Sequence, residues 1–212
     1  MRTRIKLCGM TTVDDVQFAD RLGADAIGLV FYPPSPRAVE LEQARRLSRS
    51  ASVFCSKVAL FVDPDVETVN RILDQVAIDV LQFHGNETPE FCRQFNRPWL
   101  KALRVRDGDQ LMADLGRYSD ADNLLLDAYK AGVPGGTGET FQWELIPEPW
   151  RHRIVLAGGL TPANVGDAIK AVSPLGVDVS GGIEASKGVK SAEKMTRFVY
   201  QVRLADAQKE QA

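Results

Sequence analysis

The residues of this chain best suited to chemistry stand at intervals, most of them at the end of a short apolar run. Asp127 closes the run Leu124-Leu125-Leu126 and opens a loop holding Gly132, Gly135, Gly136 and Gly138, with Pro134 and Thr137 among them. Cys8 ends TRIKLC, His84 follows IDVLQF, Arg37 closes the proline-rich stretch YPPSPR, and Asp178 and Ser180 end GVDVS. A carboxylate at the end of a buried strand, beneath a glycine-rich loop, reads as chemistry under a mobile cover, although Asp also starts ordinary turns. A thiol and a carboxylic acid brought together would form an acid–base pair suited to moving protons on a sugar phosphate. Backbone N–H groups exposed by Gly158-Gly159 and by Ser180-Gly181-Gly182, beside a helix N-terminus, can cradle a phosphate dianion. The expected ligand is therefore a small phosphorylated metabolite.

Each of these residues has a bland alternative. A lone cysteine at a strand end is often a small buried hydrophobe, a histidine there often satisfies backbone groups, and Arg37 could be a solvated loop charge. Cys55, Cys92 and His152 fall elsewhere on the pattern and read as structural. There is no histidine pair or carboxylate cluster with ligand spacing, so no metal is expected. Without a nucleotide or flavin fingerprint no cofactor is expected either, which leaves the chemistry to side chains.

Whether the candidates meet depends on the elements that carry them. Apolar runs at 3–8, 26–31, 57–62, 78–83, 99–103, 124–126, 153–157 and 176–180 read as strands. Between them lie helical patterns. One opens at Thr11 or Thr12 with Val13, Val16, Phe18, Ala19 and Leu22 on its apolar face; others span 41–48, run from Asp63-Pro64 to near Gln75, and start at Thr88-Pro89-Glu90. Further helices cover 108–118, start at Thr161-Pro162, and run from 191 to about 204. The sixth is the weakest, because proline and glycine fill most of its interval. Strand and helix thus alternate about eight times without a linker. This predicts a single-domain (β/α)8 TIM barrel over 1–205, with a polar, fraying tail at 206–212. An open doubly wound sheet is the alternative, but LCGMTT lacks the GxGxxG turn and the candidates are spread over many strand ends. In a barrel those ends converge on one face.

The composition sets the class. The 212 residues are 44% hydrophobic and 25% charged, with a formal net charge of -2, a globular balance that offers no electrostatic footprint for nucleic acid or anionic lipid. The start MRTRIKLCGM turns polar too soon for a signal peptide, and no apolar run approaches a membrane span. Three cysteines without a CxxC pair suggest a reducing, cytoplasmic setting. A monomer and a homodimer are equally compatible with the sequence.

Taken in order, IKLCGMT, GLVFYPPSPR, LQFHG, LLLDAYKAGVPGGTGETFQW, LAGGLTPANV and GVDVSGGIE resemble the phosphoribosylanthranilate isomerases of tryptophan biosynthesis across essentially the whole chain. The resemblance implies an Amadori rearrangement. Asp127 would protonate the ribose ring oxygen as general acid, and Cys8 would remove the C2 proton as general base. It also implies substrate-binding roles for Lys6, Arg37, His84 and Asp178, with Arg37 on the anthranilate carboxylate and Asp178 near the ribose hydroxyls. Gly158, Gly159, Ser180, Gly181 and Gly182 would bind phosphate. The chain departs from the family pattern at Ser180-Gly181-Gly182, where SSG is common, and at Phe141-Gln142-Trp143, where FDW is common. Two other readings stay open. One is a barrel isomerase of another aminoaldose phosphate, as in histidine synthesis, where a carboxylate would be expected in place of Cys8. The other is a non-catalytic barrel that binds a phosphorylated metabolite.

Overall fold

Eight parallel strands pair in sequence order and close on themselves. β1 (Arg4–Cys8) pairs with β2 (Ala26–Val30) on one side and with β8 (Gly176–Val179) on the other, with Lys6 opposite Asp178 in the closing register. Between them run β3 (Ser56–Phe61), β4 (Val80–Phe83), β5 (Trp99–Val105), β6 (Asn123–Ala128) and β7 (Ile154–Leu156). The β1–β8 pairing removes both free edges and rules out the open doubly wound sheet. The computed structural model describes residues 2–128 and 143–209. The glycine-rich loop expected to cover Asp127, with Gly132, Gly135, Gly136 and Gly138, lies outside the described residues, as do Phe141 and Gln142. No helix among those described is long and apolar enough to cross a membrane.

The helices are α1 (Val13–Arg21), α2 (Leu41–Ser50), α3 (Val66–Gln75), α4 (Pro89–Arg93), α5 (Gly108–Arg117), α6 (Val165–Val172) and α7 (Ala192–Lys209). Local chemistry sets several of their starts. Thr12, Asp65, Thr88 and Asp107 each accept a hydrogen bond from the backbone N–H three residues on, and Pro89 fills the first turn of α4.

The structure corrects the sequence reading at five places. The cap of α3 is Asp65; Asp63 instead adopts a left-handed φ of 46° and accepts from the Asn86 backbone N–H at 2.5 Å. The expected sixth helix is replaced in residues 143–153 by two 3-10 turns, Trp143–Leu145 and Glu148–Arg153, in an interval holding Pro147 and Pro149. α6 starts at Val165 rather than at Thr161-Pro162, because Asn164 Oδ1 accepts from Thr161 N at 2.7 Å and holds that segment as a turn. A short antiparallel hairpin, β9 (Glu184–Ser186) and β10 (Val189–Lys190), stands where a loop was expected. Finally, α7 continues past Leu204 to Lys209, and Asp206 in that extension accepts from Thr3 N at 2.8 Å and Thr3 Oγ1 at 2.6 Å.

Side-chain alternation along each strand decides which residues reach the interior. Ile5, Leu7, Phe83, Leu124, Leu126, Val177 and Val179 pack outward in the core between sheet and helices. Their neighbours Lys6, Cys8, Gln82, His84, Leu125, Asp127 and Asp178 therefore face inward. Beneath the mouth a separate inner cluster of Val58, Leu100, Ala102, Leu125 and Ala157 fills the barrel. The polar groups above it sit on a rigid, close-packed floor.

Candidate active site

Cys8 lies at the end of β1, 3% exposed, with room made for it by the neighbouring strand. A Cβ at Gly28 of β2 would stand 2.4 Å from the Cys8 Sγ, so only glycine leaves space for the thiol. Two residues earlier, the buried Lys6 ammonium donates to Asp178 Oδ1 at 2.7 Å and lies beside the thiol. Burial works against the lysine charge, but Asp178 and Cys8 more than offset it and hold Lys6 above its usual value. Burial pushes the Cys8 thiol up, Asp178 adds to that, and Lys6 opposes it. Burial thus holds the thiol above its usual value with a cation at its side.

Across the mouth, Asp127 at the end of β6 is 4% exposed. His84 Nε2 lies 3.2 Å from its Oδ2, and His84 Nδ1 lies 3.2 Å from the Gln82 amide nitrogen. Strands β1 and β6 are separated by β7 and β8, so the thiol and the carboxyl face each other across the opening.

Arg37 is held by a group that sequence reasoning missed. Its Nε and Nη2 donate to the two Glu184 oxygens at 2.6 and 2.9 Å, a bidentate fork. Glu184 also accepts from Lys190 Nζ at 2.9 Å, and Lys190 reaches the Ser180 carbonyl at 3.1 Å. Burial opposes the Glu184 charge, but Arg37 and then Lys190 hold its carboxyl below the usual range. Burial lowers Lys190 itself although Glu184 opposes it, so Glu184 is held by Arg37 and Lys190 together. The hairpin register places Lys190 opposite Glu184, which is how β9 and β10 bring both groups to Arg37.

The two glycine loops meet. Gly158 and Gly159 take φ of 80° and 65°, a region that L side chains rarely enter, so the turn after β7 depends on them. A Cβ at Gly182 would stand 1.9 Å from the Leu160 carbonyl oxygen, so the loops after β7 and β8 touch through backbone. Asn164 ties the first of these loops down by donating to the Gly159 carbonyl at 3.0 Å.

The structure thus brings Lys6, Cys8, His84, Asp127 and Asp178 into one barrel mouth, with Arg37 at the end of the second loop and the glycine loops after β7 and β8. The residues not foreseen are Gln82, Gly28, Glu184 and Lys190. Gln82 carried one legible signal, a polar residue inside the run IDVLQF, whereas the others acquire their roles through contacts distant in sequence. Cys55 and Cys92 are buried, and burial pushes their thiols up to about 11 and about 12, as suits structural cysteines. His152 lies in the 3-10 turn before β7, away from the strand C-terminal ends. Among the described residues no group of three or more His, Cys, Asp or Glu is placed to hold a metal ion.

Comparison with known proteins follows the same lines. The family model described as N-(5'-phosphoribosyl)anthranilate (PRA) isomerase matches residues 5–201. An N-(5'-phosphoribosyl)anthranilate isomerase of Stutzerimonas stutzeri is 52% identical over 200 residues, covering 94% of this chain and 97% of that protein. The crystal structure of phosphoribosyl anthranilate isomerase from Thermotoga maritima superposes with a TM-score of 0.88 at 37% identity, covering 95% of this chain and 98% of the other. A further structure of such an isomerase holds reduced 1-(o-carboxyphenylamino)-1-deoxyribulose 5-phosphate; it superposes with a TM-score of 0.84 at 35% identity, covering 95% and 98% of the two chains.

Proposed function

This chain belongs to the N-(5'-phosphoribosyl)anthranilate isomerase family, and from that premise we propose that it converts N-(5'-phosphoribosyl)anthranilate to 1-(2-carboxyphenylamino)-1-deoxyribulose 5-phosphate with Asp127 as acid and Cys8 as base. The observation that carries the assignment of roles is the facing pair itself: a buried carboxyl partnered by His84 and a buried thiol partnered by a lysine, across one barrel mouth. We place the reaction in the tryptophan pathway and in the reducing cytoplasm, where the three unpaired cysteines remain thiols. The protein would act there as a monomer or homodimer.

Asp127 gives its proton to the ribose ring oxygen as the C1–O bond breaks, and the anthranilate nitrogen lone pair forms the C1=N bond of an iminium. That cation makes the neighbouring C2–H acidic. It also places a second positive charge near Cys8, which with Lys6 favours the thiolate against the burial that opposes it, the thiol proton leaving to solvent. Cys8 takes the C2 proton, the C–H electrons form the C1=C2 bond, and the nitrogen regains its lone pair. The enolamine then ketonises as C1 gains a proton and the C2 hydroxyl loses one. Cys8 is left as the thiol and Asp127 ionised, and a proton from solvent restores Asp127. His84, donating through Nε2, would stabilise the Asp127 carboxylate as it forms.

The remaining groups bind. Arg37 uses Nε and one Nη2 hydrogen on Glu184, so its Nη1–Nη2 edge can meet the anthranilate carboxylate; Glu184 orients the guanidinium. Asp178 would receive a ribose hydroxyl while paired with Lys6. Backbone N–H groups of Gly158, Gly159, Ser180, Gly181 and Gly182 would take the phosphate. The test is to mix the protein with N-(5'-phosphoribosyl)anthranilate and follow the loss of anthranilate-type fluorescence as the deoxyribulose product appears. Catalytic loss with stoichiometric product supports the reading. A fluorescence signal that stays at the uncatalysed rate would contradict it.

A further inference from the structure

We propose that Gln82 is a positioning residue for this reaction: from inside the barrel it fixes the tautomer of His84 and so decides which oxygen of Asp127 carries the transferable proton. This rests on the acid role of Asp127 proposed above. Gln82 faces the barrel interior on β4 and is completely buried, at a level otherwise lined by apolar side chains such as Leu100, Ala102 and Leu125. An amide there loses its hydration and recovers little of it. Among the described residues its Oε1 has no hydrogen-bond partner, and its one side-chain hydrogen bond is the 3.2 Å approach of Nε2 to His84 Nδ1. An apolar side chain of similar shape would fill the same space without that cost, so the amide is better explained by what it does to the imidazole than by stability.

An amide N–H directed at Nδ1 requires the lone pair there and places the ring proton on Nε2, which points at Asp127 Oδ2 across 3.2 Å. Asp127 Oδ2 is then the acceptor oxygen, and the acidic hydrogen of the neutral carboxyl sits on Oδ1. When Oδ1 releases its proton, the hydrogen bond from Nε2–H becomes charge-assisted and strengthens as negative charge develops. With the opposite tautomer, the Nε2 lone pair would face Oδ2 and draw the carboxyl hydrogen toward the ring, away from the substrate. One amide thereby aims an acid that it does not touch.

The chain has two histidines, so the ring nitrogens of His84 can be read by 15N NMR with His152 as an internal control. At a pH where both rings are neutral, His84 of the wild-type protein is expected as the Nε2–H tautomer. Gln82→Glu, whose carboxylate accepts from Nδ1–H, should switch it to Nδ1–H. Gln82→Met, which offers no donor, should leave the ring unheld. Both variants should lose about 10- to 100-fold in kcat with KM changed by less than about 2-fold, while Gln82→Met melts at or above the wild-type temperature. A wild-type Nδ1–H tautomer, or a Gln82→Met variant with wild-type kcat, would overturn the proposal. Should Gln82→Met fail to fold, the wild-type tautomer still decides. An absence of turnover in the wild-type protein would instead refute the isomerase reading, and the NMR result is independent of it.

Discussion

At the scale of single residues the site is a set of charges held in place by one another. Cys8 shows this most clearly, because its burial raises the thiol while Lys6 opposes that rise. The free-enzyme profile of kcat/KM should therefore climb with pH along a limb set by thiol ionisation, lying above the ordinary thiol range. Lys6→Met removes the group that pulls the thiol down, so that limb should move further toward high pH; a limb that stays put or moves down would show that Lys6 does not assist the base. Arg37 offers a second residue-scale test. The contact proposed for it with a substrate carboxylate would exist in ground and transition states alike, so Arg37→Ala should raise KM more than it lowers kcat. A charge-assisted contact of this kind is worth about 1.5–3 kcal/mol, or roughly 10- to 100-fold in kcat/KM. An aniline analogue should cost the wild-type protein a similar factor and the variant little more, and equal sensitivity of the two proteins would remove Arg37 from that role. Cys8, Asp127 and His84 were legible in the sequence because each ends a strand-like run. Glu184 and Lys190 were not, since their meaning comes from Arg37, far away in the chain.

Elements decide which residues meet, and the β9–β10 hairpin is the instructive case. It is too short to show a period, and EASKGVK, with Gly188 in its middle, reads as loop, so its pairing could not be inferred from pattern. Yet it carries Glu184 to Arg37. Glu184→Gln should loosen the guanidinium and raise KM by about 3- to 10-fold, in keeping with one weakened charge-assisted contact, with kcat nearly unchanged; an unchanged KM would mean that Arg37 is oriented by other groups. The same residue predicts a pH signature in stability. Its folded-state carboxyl lies below the ordinary 4.5, so its contribution is present above that value and is lost as pH falls through the lower, folded value. Denaturant titrations of wild type and Glu184→Gln should diverge near neutrality and converge at acid pH, and a constant gap would contradict the linkage. The strands were readable because short buried runs separated by turn residues have few other interpretations. The start of α3 was not, because Asp63 and Asp65 are equally good caps by type and tertiary contacts of Asp63 with Asn86 and Glu87 separate them.

For the whole molecule, the alternation of strand and helix was enough to foresee the closed barrel, because a parallel sheet of eight such units has no better way to hide its edges. The end of the chain was harder to foresee. Residues beyond Leu204 read as a polar, fraying tail, but Asp206 clasps Thr3 beside β1 and joins the last helix to the first strand. Asp206→Ala should cost about 1–3 kcal/mol by leaving the part-buried Thr3 N–H without its acceptor, read as a lower denaturation midpoint at unchanged slope; a midpoint equal to wild type would show the clasp to be idle. The central claim is that proton transfer by Asp127 and Cys8 makes this barrel an isomerase, and steady-state turnover of N-(5'-phosphoribosyl)anthranilate by Cys8→Ser and Asp127→Asn tests it most directly. Each variant should fold as wild type does and lose about 10²–10⁴-fold in kcat. A folded variant of either kind turning over close to the wild-type rate would contradict it.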